Sequence, residues 1–227
     1  MIKVENVTKD YTVGHTTVHA LRGVSLSIER GEFLSIAGPS GSGKTTLLNL
    51  IGCLDKASSG EIYIAEEAVS SKTKKELALL RRQRLGFVFQ SFNLIPVLSA
   101  FENVSFALSL LGINGAEIKE RTNGILEEVG LKGMETRLPG ELSGGQQQRV
   151  AVARALIKEP DVVLADEPTA NLDSDTGKEI LDLMVALNQK HRTTFVFSTH
   201  DRMVMDYARR LVRLHDGQIS GDERRGS

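Results

Sequence analysis

Apolar and polar positions alternate over residues 2–8 and again over 17–28, the period of half-buried strands. Residues 33–37 form a compact apolar run, broken by the glycine-rich stretch 38–45, after which 46–54 read as a helix. A further strand is expected over 59–65, following a Ser-Ser-Gly turn, and a buried one over 85–89. From about residue 91 to 160 the period lengthens to that of helices, expected at 101–111, 116–129 and 146–159. In the last of these, Val150, Ala153, Leu156 and Ile157 fall on one stripe and Pro160 closes the helix. Strand and helix then alternate: strand 162–165, helix 175–190, strand 193–198, helix 202–208 and a hairpin over 211–219. Such alternation at both ends argues an α/β core with mostly parallel strands, carrying the helical middle as an inserted lobe. The polar tail, 221–227, is expected to fray.

Composition narrows the classes. With 41% hydrophobic and 25% charged residues, the composition is that of a globular protein, and 227 residues are enough for one large domain or two small lobes sharing a core. Lys+Arg 28 against Asp+Glu 29 leave a net charge of -1, so no global field favours nucleic acid or an anionic membrane. The basic run Lys72, Lys74, Lys75, Arg81, Arg82 and Arg84 reads as a solvated helix face. No apolar stretch approaches the length of a membrane span, and the start, MIKVENVTKDY, lacks the apolar segment of a secretory signal. Cys53 is the one cysteine, lies in an apolar stretch and reads as a packing residue, which fits a reducing compartment. A soluble, cytoplasmic chain that binds no nucleic acid is expected.

The stretch Gly38-Pro39-Ser40-Gly41-Ser42-Gly43-Lys44-Thr45 fits the phosphate-loop pattern G-x-x-x-x-G-K-[ST]. Glycines let backbone amides approach phosphate oxygens, and the helix that follows, from Thr46 on, adds its N-terminus. Lys44 suits the β- and γ-phosphates and the Thr45 hydroxyl suits Mg²⁺. Chance alone would produce such a match about once in a hundred chains of this length, and the strand–loop–helix context lowers that further. A second apolar strand, 162–165, ends in Asp166-Glu167, at the end where α/β sheets bind ligands. Asp166 suits holding Mg²⁺ through water, and Glu167 suits polarising an attacking water. By themselves two acids before Pro168 would read as a strand-ending turn; the phosphate loop upstream favours the chemical reading.

Leu142-Ser143-Gly144-Gly145-Gln146 opens the helix at 146, with Ser143 a sound N-cap and the glycines leaving amides free to face an anion. On this LSGGQ motif, continuing as QQRVAVARAL to Leu156, the chain resembles the ABC ATPase family over essentially its whole length. The resemblance implies a P-loop NTPase core (RecA-like), with an antiparallel β subdomain and an inserted α-helical subdomain. It implies one domain over 1–227, the core and β subdomain from 1–90 and 161–227 and the helical subdomain from 91–160. It also implies that Tyr11 stacks on adenine, that Gln90 links Mg²⁺ and water to the membrane interface, that Asn171-Leu172-Asp173 cross between subunits, and that His200 touches the γ-phosphate. Residues 66–75 depart from the family pattern. The segments LLNLIGCLDKASSGEI, RRQRLGFVFQSFNLIP and PTANLD are similar to the lipoprotein-release and macrolide-export group, the LolD/MacB-like ATPases.

The implied mechanism sandwiches two MgATP between two copies. Ser143, Gly144, Gly145 and Gln146 of one would complete the site made by Lys44 and Glu167 of the other. Work would pass to integral membrane permease subunits at the cytoplasmic face, through the apolar residues Phe92, Leu94, Ile95, Pro96 and Leu98 that follow Gln90. These same residues could equally fill the small core of the helical lobe. Of three rival readings, only the last stays open. A soluble ABC protein of translation or repair would carry paired cassettes or long coiled coils, and a P-loop kinase would not need LSGGQ. A cassette driving a mechanical, non-transport complex would share all of these motifs.

Overall fold

The computed structural model describes residues 1–225. The chain divides into two compact units, one of residues Met1–Arg81 with the segment from Thr194 onward, the other of Arg82–Thr193.

In the first unit, β1 (Ile2–Val13) and β2 (Thr16–Ile28) form a long antiparallel hairpin, with β4 (Ser59–Ile64) and the two-residue β5 (Glu67–Ala68) completing the order β2-β1-β4-β5. Its inward positions, among them Ile2, Val4, Val7, Val24, Leu26 and Ile28, are buried. The hairpin runs to Val13 on the β1 side, beyond the expected end at residue 8, so Tyr11 lies on a strand. The parallel strands β3 (Phe33–Ala37) and β8 (Thr194–Thr199) are buried at every position, as expected where both faces are covered, while β9 (Arg210–His215), parallel to β3, leaves Arg213 and His215 exposed. Phe33, Phe195 and Phe197 pack with ring centroids 4.7–6.1 Å apart. Fully burying each such ring contributes about 1.5–3 kcal/mol. Helix α1 (Lys44–Ile51) follows the phosphate loop, and α7 (Arg202–Tyr207) follows β8.

The final hairpin corrects one expectation. Strand β10 (Gln218–Arg224) continues through most of the tail expected to fray, because Asp222 pairs with Val212 and Arg224 with Arg210 across the ladder. Arg210, nearly buried, is gripped by Asp222 at 2.7 Å and Glu32 at 3.0 Å, which anchors the strand by charge. Residues 226 and 227 of that tail lie outside the described residues. The basic run lies on α2 (Lys74–Arg84), a helix with Leu77 and Leu80 buried, except for Lys72, which precedes it. Its arginines are spent on the protein itself: Arg81 donates to the Cys53 carbonyl, Arg82 to the Leu110 carbonyl and Arg84 to Asp161. Cys53 is buried, and that burial pushes its thiol up to about 11, so it remains an inert packing thiol.

In the second unit, β6 (Leu85–Val88) and β7 (Val162–Asp166) run parallel, and α3 (Ala100–Ser109), α4 (Gly115–Glu128) and α6 (Ser174–His191) surround α5 (Gly144–Leu156). Helix α5 is apolar beyond one stripe because it is packed on several sides, with Val150, Ala151, Val152, Ala153, Ala155 and Leu156 all buried. It begins two residues before the expected start and ends before Ile157. Glu159 adopts a left-handed φ of 56° and bonds back to the Leu156 carbonyl, so the chain has left the helix before Pro160 is reached.

Candidate functional site

The phosphate loop leaves β3 at Gly38 and re-enters helix at Lys44. Gly38 has no room for a side chain, since a Cβ would run into the Leu214 carbonyl on β9. Gly43 sits at φ 100°, and a Cβ there would lie 2.5 Å from the Ala20 carbonyl. The loop is therefore pressed against β9 and β2, with Gly217 N–H bonded to the Ser42 carbonyl at 3.1 Å. Lys44 is buried and donates to the Gly38 and Pro39 carbonyls at 2.8 and 2.9 Å, curling its ammonium inside the loop. Pro39, Ser40, Gly41 and Thr45 stay exposed at the rim, and Thr46 is half-buried. The Ser42 hydroxyl is buried with no hydrogen-bond partner among the described residues. A tight cradle of backbone around a buried lysine has the chemistry of a polyphosphate site. Tyr11 stands on β1 opposite Val18, 36% exposed. His200 is exposed in the turn after β8, a turn closed by Asp201 N–H on the Thr199 hydroxyl at 2.9 Å.

The second unit gathers the other expected residues. Gln90 is exposed just beyond β6. Asp166 ends β7, and Glu167 follows with a left-handed φ of 46°, a backbone state that non-glycine residues hold only where surroundings enforce it. Part of that enforcement is Gln148, buried on α5, which donates to the Pro168 carbonyl at 2.6 Å. Ser143 caps α5 in a reciprocal box with Gln146: Ser143 N–H donates to the glutamine oxygen at 2.9 Å and Gln146 N–H to the serine hydroxyl at 3.3 Å. Asp173 caps α6 in turn, and the Thr176 amide and hydroxyl hold its carboxyl below the usual range.

The structure brings together three segments far apart in sequence. The Asn171 amide donates to the Gln90 carbonyl at 3.0 Å. A Cβ on Gly145 would sit 2.5 Å from the Thr176 methyl, so glycine is required there for close approach to the start of α6, whereas one on Gly144 would sit 3.3 Å from Leu172, tight but without a collision. Arg154, also on α5, bonds to the loop after Gln90. Sequence reasoning passed over Arg154, Gln148 and Thr176. A charged residue in an otherwise buried helical run was the signal available for Arg154.

The apolar residues after Gln90 divide. Phe92, Leu94 and Leu98 are half-buried, while Ile95 is 37% and Val97 79% exposed. The loop is held from below by buried Asn103, which accepts from Ile95 N–H at 2.8 Å and donates to the Ile95 and Leu98 carbonyls. Phe106, Leu110 and Leu138 of the same unit are also exposed.

A family model described as ABC transporter matches residues 21–170. The chain belongs to the ABC transporter family. It is 47% identical to the ATP-binding protein MJ0796 of Methanocaldococcus jannaschii, an uncharacterized ABC transporter protein, over 99% of this chain and 97% of that one. A dimeric structure of MJ0796 in a post-hydrolysis state, bound to ADP and Pi, superposes with a TM-score of 0.91 at 46% identity and covers 100% of both chains. The macrolide export ATP-binding/permease protein MacB of Syntrophobacter fumaroxidans is 45% identical over 96% of this chain, which spans 31% of its length. This chain is an ATP-binding, ATP-hydrolysing ABC transporter subunit with the cassette fold expected from its sequence. No helix among the described residues is long and apolar enough to cross a membrane.

Proposed function

We propose that two copies of this chain close head to tail on two MgATP, and that closure and hydrolysis move separate membrane permease subunits. The observation that carries this reading is the head of α5. Ser143 is exposed and Gly144 half-buried at the N-terminus of α5, with Gly145 buried behind them, in a chain that already has a phosphate loop. A second anion-receptive terminus is explained by a nucleotide held on another copy. The dimeric ADP-bound relative and the ATP-binding/permease relatives support the same reading.

In this scheme Lys44 neutralises the β- and γ-phosphates, Tyr11 stacks on adenine and His200 contacts the γ-phosphate. Glu167 accepts the proton of the attacking water. No group of three or more His, Cys, Asp or Glu side chains that could hold a metal is found among the described residues. The donors assigned to Mg²⁺ are instead the Thr45 hydroxyl, the Gln90 amide and, through water, Asp166. These are all hard oxygens, to which phosphate oxygens add. Mg²⁺ there would neutralise charge on the transferring phosphoryl group. Residues 171–173 cross to the other copy. The chain acts as one cassette domain with 91–160 as its helical subdomain, held at the cytoplasmic face of the membrane by its partners. Its work is export or release of a lipoprotein or lipid-like cargo.

The test is Glu167→Gln. Hydrolysis should fall about 10²–10⁴-fold, and the variant should elute as a dimer by size-exclusion chromatography with light scattering when ATP is present. A variant that stays monomeric with saturating MgATP, while the wild type hydrolyses normally, overturns the sandwich.

A further inference from the structure

Tyr11 is held in part by two residues with no assigned role, in addition to a side-chain hydrogen bond from Thr46. The Tyr11 hydroxyl donates to Asp55 Oδ2 at 2.8 Å. The Lys9 ammonium, two positions earlier on β1, lies 4.8 Å from the centre of the Tyr11 ring and donates to Asp55 Oδ1 at 2.8 Å and to the Lys56 carbonyl at 2.7 Å. The Lys56 amide donates to the same Asp55 oxygen at 2.7 Å. Burial opposes the charge on Asp55, but the hydrogen bonds from Lys9, Tyr11 and Lys56 outweigh it and hold the carboxyl below its usual range. Burial first, and the bond to Asp55 second, push the Tyr11 phenol up, so it remains a donor. The Lys9 side chain is only 12% exposed, as expected of a cation committed to a ring and a carboxylate and not to solvent.

Asp55 stands just beyond the C-terminal end of α1, where its own amide bonds to the Asn49 carbonyl. Helix α1 begins at Lys44 of the phosphate loop. The Lys9–Tyr11–Asp55 cluster therefore ties the aromatic ring on β1 to the far end of the helix whose near end cradles phosphate. One ring face is closed by the Lys9 ammonium, and the single O–H donor is used by Asp55. Tyr11 is left offering its other face for stacking, with no free donor to read the edge of a base.

We propose that Lys9 and Asp55 are positioning residues for the nucleobase, fixing the Tyr11 ring at a set distance from the phosphate loop with one face open. The inference rests on the reading that Tyr11 stacks on adenine. Calorimetric affinities for ADP and for inorganic pyrophosphate separate base from phosphate binding. Tyr11→Ala should weaken ADP about ten-fold or more and leave pyrophosphate within about two-fold. Lys9→Met and Asp55→Ala should weaken ADP about three- to ten-fold, again sparing pyrophosphate, while Lys9→Arg, which keeps a cation over the ring, should bind ADP nearly as wild type. If Tyr11→Ala leaves ADP affinity intact, the stacking reading itself fails. If Tyr11→Ala weakens ADP but Lys9→Met and Asp55→Ala do not, stacking stands and the positioning role is wrong. Parallel loss of ADP and pyrophosphate in Lys9→Met also overturns it, by showing that the cluster only supports the fold.

Discussion

Arg154 reaches from α5 to the loop after Gln90, donating to the Phe92 carbonyl at 2.8 Å and the Asn93 carbonyl at 2.6 Å. Phe92 and Asn93 both hold left-handed φ, 61° and 49°, so the loop is kept in a conformation it would not adopt unaided. Burial lowers the Arg154 pKa from its ordinary value, but that value is high enough that the guanidinium stays charged. One charged side chain thus fixes the loop to the helix that carries the signature glycines.

Arg154→Met keeps the length of the side chain and removes both donors. Losing hydrogen bonds from a charged group should lower unfolding stability by about 1.5–3 kcal/mol, measured by urea denaturation. ATP affinity should change little, whereas turnover stimulated by the membrane partner should drop. Full partner-stimulated turnover in a variant with the expected stability loss would confine Arg154 to scaffolding.

Gly145→Ala should stop hydrolysis and spare single-chain nucleotide binding. The added methyl meets the Thr176 methyl at 2.5 Å, and Thr176 is held in place by Asp173, to which its hydroxyl donates at 2.7 Å. The collision would displace the start of α6 and residues 171–173 with it. Thr176→Ser removes the obstructing methyl and keeps the hydroxyl, so the double variant should regain most of the lost activity. Equal inactivity of single and double variants would refute the steric account.

Lys44→Ala should abolish hydrolysis and weaken MgATP binding severely, because the ammonium proposed to neutralise phosphate charge also bridges the Gly38 and Pro39 carbonyls of its own loop. Steady-state ATPase assays and calorimetry check this. Normal turnover in the variant would remove the nucleotide site from residues 38–46.

Val97→Asp tests the partner surface without disturbing the core, since Val97 is 79% exposed and the loop beneath it is held by Asn103. Its melting temperature and basal ATPase should match the wild type. Co-purification with membrane subunits should fall, because an unpaired charge in a dry contact costs several kcal/mol, on the order of 3 to 5. Undiminished co-purification would place the contact elsewhere.

Much of this was legible in the order of residues alone. The strand run at 33–37, the glycine loop and Lys44, and the acids ending β7 are local patterns whose meaning follows from backbone sterics and side-chain chemistry. The Ser143 cap likewise needs only its neighbour Gln146, three residues on. Element ends were less legible: β10 persists to Arg224 because Arg210 and Asp222 pair across the hairpin, a contact that polarity along the chain reads as fraying. Which residues hold the site in place was decided only in three dimensions. Lys9, Asp55 and Tyr11 come together from positions up to 46 apart, and Arg154 meets Phe92 across 62. Hydrogen bonds and steric limits act through space at a few ångströms. A sequence encodes such contacts only through the fold that creates them, and a lone lysine, aspartate or arginine along the chain looks the same whether it faces water or fixes an aromatic ring.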